Sequence, residues 1–124
     1  MSDSSTDLRD YDAIARAVHY YIDGLISGRG DDMKPGFHRD ATIYGNPGGE
    51  LFSGPIQLLF DLTDKNGAAS ELQARIAGID LNGTVATARL ELNNWAGARY
   101  TDLFTLLKTD GEWKIINKVF HLHA

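Results

Sequence analysis

The dipeptides Asn82-Gly83 and Asp110-Gly111 constrain this chain more than any other feature. Each suits the left-handed backbone of a two-residue hairpin turn, and each lies between runs of alternating apolar residues. Ala96-Gly97-Ala98 marks a third reversal between them. The turns predict four consecutive antiparallel strands over about 70–81, 84–95, 99–109 and 112–123.

The first half reads differently. Ile14, Val18, Tyr21, Ile22 and Leu25 recur at helical spacing, with Arg16 and Asp23 on the other side, which predicts an amphipathic helix over about 10–27. Gly28 and Gly30 end it. A short second helix is expected after Asp31 or Asp32, limited by Pro35-Gly36. Ala41–Tyr44 reads as a short strand, Asn46-Pro47-Gly48-Gly49 as a turn, and Leu51-Phe52 as a returning strand. A third helix is expected over about Pro55–Asp64. Residues 1–9 read as a mobile tail and 10–124 as one domain. Helices first and then a meander give an α+β fold, with the helices on one face of an antiparallel sheet.

Composition narrows the functional classes. The chain has 124 residues, enough for a substantial core, and no cysteine, so disulfides and thiolate metal sites are excluded. A net charge of −5 with scattered basic residues argues against a nucleic-acid partner. No apolar run approaches the roughly 18 residues of a membrane span, and the polar N-terminus does not read as a secretory signal. A cytoplasmic location is expected.

An uninterrupted register from Asp110-Gly111 sets Leu106 opposite Ile115, Phe104 opposite Asn117, Asp102 opposite Val119 and Tyr100 opposite His121. That face packs under the helices and turns polar toward one end, where Tyr100, Asp102, Asn117 and His121 gather. Lys114 and Lys118 then fall on the outer face with Leu103, Ile116, Phe120 and Leu122, an apolar surface suited to a homodimer. Bulges are expected at Gly78 and near Ala96-Gly97-Ala98, because the apolar alternation of the neighbouring strands otherwise conflicts. A core that becomes polar at one end suggests a ligand pocket. The structural alternative is that these groups satisfy one another.

Three stretches carry a family likeness: Tyr21-Ile-Asp-Gly followed by Gly28; Phe37-His-Arg-Asp-Ala-Thr-Ile; and Asp102 through Ile115, including Trp113-Lys-Ile. From about Tyr11 to His123 the chain resembles the nuclear-transport-factor-2-like superfamily, the SnoaL-like or ketosteroid-isomerase-like cone fold shared with scytalone dehydratase and polyketide cyclases. The last stretch is most similar to its lumazine-binding branch. The resemblance implies a strongly curved, cystatin-like sheet enclosing a pocket. It matches Tyr21 to the oxyanion-hole tyrosine of ketosteroid isomerase, and Gly45 to the position of that enzyme's general-base aspartate. Glycine cannot take a proton, so steroid isomerisation is not expected.

His121 and Asp102 are the candidate catalytic pair, an imidazole base oriented by a carboxylate. Against this, Asp102 could instead pair with Arg75 or Arg99. The expected ligand-binding residues are Tyr21, Tyr44, Phe37, Phe60, Trp95, Tyr100, Phe104 and Asn117; the bland reading of Tyr21 is a core tyrosine with a satisfied hydroxyl. His121-x-His123 with Asp102 could form a metal set, but the spacing is common by chance, so no metal and no cofactor are assigned. The first reading is a protein that binds a small, flat, partly polar molecule. The alternatives are an acid–base enzyme of dehydratase, isomerase or cyclase type using His121 and Asp102, and a protein-interaction module with a vestigial pocket.

Overall fold

A computed structural model describes residues Ser4–His123. Helix α1 (Ser4–Ser27) buries Ile14, Val18, Tyr21, Ile22 and Leu25, the stripe expected from their spacing. It starts at Ser4, so residues 4–9, expected to form a mobile tail, make its first turns; Met1–Asp3 lie outside the described residues. Gly28 closes the helix at φ +75°, its N–H bonded to the Gly24 carbonyl at 2.9 Å. A side chain there would also collide with the Ala68 backbone, 2.3 Å from where its Cβ would sit. Two single 3-10 turns, Gly30–Asp32 and Lys34–Gly36, replace the expected short helix.

The strands are β1 (Phe37–Gly45), β2 (Phe52–Pro55), β3 (Gln73–Asn82), β4 (Val85–Trp95), β5 (Ala98–Thr109) and β6 (Glu112–Leu122), with helix α2 (Gln57–Asn66) between β2 and β3. They form one sheet in the order β2-β1-β6-β5-β4-β3. Strands β3 to β6 are the antiparallel meander that the turn dipeptides specify, while β1 adds to β6 in parallel. The helices cover one face, and a shared core runs from Ile14 on α1 to Ile115 on β6. Asp10 anchors α1 to the hairpin end of the sheet, accepting hydrogen bonds from Trp113 Nε1 at 3.0 Å and Lys108 Nζ at 3.1 Å. No helix of the described residues is long and apolar enough to cross a membrane.

Three strands of the meander carry irregularities, which bend and twist the sheet. In β3 the register shifts between Ile76 and Gly78, beside the expected position. In β4 it shifts between Leu92 and Trp95, where the exposed Asn94 takes φ 64°. The third was not expected. Leu106 pairs with Ile115 but Thr105 pairs with Asn117, so Ile116 is an extra residue in β6.

That bulge inverts the second half of β6. Phe104 pairs with Lys118, Asp102 with Phe120 and Tyr100 with Leu122. Lys118 therefore faces the core, fully withdrawn from solvent, and Asn117, Val119 and His121 face outward. The expected inner positions of Asn117, Val119 and His121, and the expected outer positions of Lys118, Phe120 and Leu122, are all corrected by this one residue.

Candidate active site

A cavity of about 270 Å³ opens between the sheet and α2. Its walls are mostly apolar: Ile43 from β1, Phe52 from β2, Leu59 and Leu62 from α2, Trp95 from β4 and Phe120 from β6. The rings of Trp95, Tyr100, Phe120 and Phe52 form a chain along one side, with successive centroids 5.0, 6.3 and 6.0 Å apart. Asn66 and Ala96, both exposed, mark the opening. The volume is near the lower end of ligand pockets, which run from ~300 to 1,000 Å³.

Lys118 is the charged side chain in this wall. Its Nζ lies 3.4 Å from Asp102 Oδ1, and both side chains are buried to within 2%. The ammonium also sits 4.6 Å from the centre of the Phe120 ring and 5.3 Å from that of Tyr21. The Tyr21 hydroxyl faces the same carboxylate, yet neither it nor either Asp102 oxygen makes a hydrogen bond of good geometry among the described residues. Three buried polar atoms in one place lack a hydrogen bond, and only Asp102 Oδ1 has the ion-pair contact, where buried polar groups are normally satisfied.

Burial dominates the electrostatics. It holds Lys118 below the ordinary lysine value, against the opposing pull of the Asp102 carboxylate. It raises Asp102 above the ordinary aspartate value, against the Lys118 charge and the Tyr21 hydroxyl. Burial, reinforced by the nearby Asp102 charge, pushes the Tyr21 phenol well up and raises Tyr100 as well. The first two shifts act together: each favours a neutral amine beside a neutral acid.

Of the residues read from sequence, Trp95 and Tyr100 line the cavity, and Tyr21 and Asp102 meet behind its wall at Lys118 Nζ. Phe37, Phe60 and Phe104 do not line it. They pack edge to face with Tyr21 and one another, with centroids 5.5 to 6.3 Å apart, as part of the core. Tyr44 is 45% exposed. Asn117 donates to Thr42 Oγ1 at 3.0 Å on the outer face. His121 is exposed there beside His123, with ring centres 4.7 Å apart, so the expected His121–Asp102 pair does not form. His123 instead contacts Thr101 Oγ1 at 2.9 Å. Asp102 pairs with neither Arg75 nor Arg99; Arg99 lies 3.7 Å from Glu91. No group of three metal-ligating side chains occurs among the described residues.

Sequence reasoning missed Lys118, Phe120 and Phe52. The signal was Ile115-Ile116, two adjacent apolar residues that break the alternation of β6. Gly45 itself has no room for a side chain. A Cβ there would lie 2.3 Å from the Phe120 ring, which occupies that space.

The comparisons agree with this architecture. The family described as "Putative lumazine-binding" matches residues 9–121. Aldolase FrzH from Cladobotryum sp is 34% identical over 113 residues, covering 90% of each chain. An NTF2-like protein of unknown function from Methylobacillus flagellatus KT is 50% identical, with a TM-score of 0.90 and 94% of each chain covered. One from Shewanella baltica OS155 is 38% identical, with a TM-score of 0.90, covering 94% of this chain and 96% of that one. The chain belongs to the lumazine-binding-type family matched over residues 9–121, within the NTF2-like superfamily.

Proposed function

We propose that the protein binds a small, flat, mostly apolar carbonyl compound in this cavity and acts on it by acid–base chemistry through Lys118 and Asp102. The observation that carries the reading is the buried Lys118–Asp102 pair, with Lys118 in an apolar pocket wall and no hydrogen bond to either carboxylate oxygen or the Tyr21 hydroxyl. Such a pair is a poor investment for stability alone, since desolvation offsets most of the attraction. Perturbed titratable groups in a cleft are typical of working sites. The aromatic walls supply contact area for a flat ligand, and the name of the Cladobotryum relative supports carbonyl chemistry. This retains the acid–base reading of the sequence, with Lys118 in the place expected of His121.

Hydrogen–deuterium exchange tests it. The protein is incubated in D2O with a panel of cyclic and aryl ketones, and exchange next to the carbonyl is followed by NMR. Wild-type protein should accelerate exchange for at least one probe, and Asp102→Asn should remove the acceleration while circular dichroism shows a folded chain. Equal rates with and without protein across the panel would count against the reading.

Two copies of the chain pair through the outer sheet face in this proposal. Leu103 (53% exposed) and Val119 (42% exposed) stand there beside Ile116, an apolar surface that association would cover.

A further inference from the structure

We infer that Lys118 Nζ attacks the ligand's carbonyl carbon and holds the ligand as a Schiff base. This rests on the pocket reading above and names the chemistry of the same site. Three observations point to it. Lys118 lines the cavity although the residue is only 2% exposed, so a ligand there meets this side chain with little bulk water around it. The Phe120 and Tyr21 rings confine it, which fixes its direction of attack. Asp102, with Oδ1 3.4 Å from Nζ and no hydrogen bond to either oxygen, is close enough to exchange a proton with the amine. Burial that favours the neutral amine adds to this, since an ammonium is not a nucleophile.

The step balances within the site. The neutral amine adds to the carbonyl carbon and the oxygen becomes a hydroxyl, giving a carbinolamine. The Asp102 carboxylic acid protonates that hydroxyl, water leaves, and the product is an iminium ion beside an Asp102 carboxylate. One amine, one carbonyl and one acid thus become one iminium, one carboxylate and one water. The iminium restores the positive charge that the pair had in its ionised form, so the buried site stays neutral overall. The carboxylate next takes a proton from the carbon beside the iminium, leaving an enamine. That carbon can form a C–C bond with a second carbonyl carbon, whose oxygen takes up the proton held by Asp102. Water then hydrolyses the new iminium and frees the amine. The Tyr21 hydroxyl is placed to hydrogen-bond the carboxylate as its charge comes and goes.

Reductive trapping tests the inference. The full chain is treated with sodium cyanoborohydride and cyclohexanone, acetophenone or benzaldehyde, then examined by intact mass and peptide mapping. The chain has four other lysines (Lys34, Lys65, Lys108 and Lys114), all more exposed, which serve as internal controls. The expected result is one adduct per chain, at Lys118, formed roughly tenfold faster than at any other lysine. Asp102→Asn should slow trapping without moving it elsewhere. In Lys118→Met/Asp102→Leu, which removes both charges together, the fast adduct should vanish while the slow surface labelling persists. Labelling of wild-type protein that follows exposure, with Lys118 last, overturns the inference. If carbon–hydrogen exchange is still accelerated in that case, Lys118 acts as a base without bonding, and the acid–base reading stands. A Lys118 adduct without any exchange would uphold the Schiff base and overturn both the enamine step and the acid–base turnover.

Discussion

Lys118 Nζ and Asp102 Oδ1 lie 3.4 Å apart, both buried, with Lys118 lining a mostly apolar and aromatic pocket. Each side chain is the nearest compensation for the other's lost hydration. Removing one should therefore cost far more than removing both. Lys118→Met is expected to lose about 3–5 kcal/mol, and Lys118→Met/Asp102→Leu to return to within ~1 kcal/mol of wild type or exceed it. Urea denaturation of the three proteins at neutral pH measures this. A single variant as stable as wild type would show that the pair contributes nothing to the folded state.

The two single variants should respond to pH in opposite directions. Asp102 without its lysine has a folded pKa raised by burial, so its proton binds more tightly in the folded chain. Stability of Lys118→Met is then greatest below the ordinary aspartate value and falls as pH rises through the raised one. Lys118 in Asp102→Asn has a folded pKa lowered by burial. Stability of that variant is lost as pH falls through the lowered value, and is recovered toward the ordinary lysine pKa of about 10.4. Thermal melts from acid to alkaline pH should give slopes of opposite sign; parallel curves would mean that the pair is not the dominant buried titration.

Gly45 should resist substitution for steric reasons alone. It needs no left-handed backbone, but a Cβ would meet the Phe120 ring at 2.3 Å. Gly45→Ala is expected to cost about 1–3 kcal/mol, the usual range for overpacking. It should also turn the ring into the cavity and weaken ligand uptake. Gly45→Ala/Phe120→Leu should recover most of the stability. Failure of that second change to rescue would place the strain elsewhere.

The outer face gives a prediction about mass. Leu103→Glu/Val119→Glu should convert a dimer to a monomer by light scattering while leaving reductive trapping at Lys118 intact. A wild-type chain that is already monomeric at micromolar concentration would end that proposal.

Most of the fold was legible because its signals are local. Asn82-Gly83 and Asp110-Gly111 fix turns through backbone conformation alone, and α1 announces itself through five buried positions at helical spacing. The parallel addition of β1 to β6 was not legible, because nothing within either segment specifies a partner so distant in sequence. The site failed for a different reason. After Ile116 the more amphipathic phase of β6 puts Phe120 and Leu122 inside and Asn117 and His121 outside, but it also buries Lys118. Charge argued against that phase, yet a buried aspartate on the neighbouring strand removes the objection. Asp102 and Lys118 had to be read together, and they belong to different strands.

The bulge at Ile116 makes β6 a segment with two alternative messages. In the observed phase it presents Lys118 and Phe120 to the pocket; in the other it would present Asn117 and His121. A change of chemistry in such a strand requires no substitution at a reacting residue. One inserted amino acid just beyond the bulge would reverse every side chain after it, setting Asn117 where Lys118 stands and His121 where Leu122 stands. Gains and losses of single residues, usually regarded as damage to a strand, here decide which side chains the pocket receives.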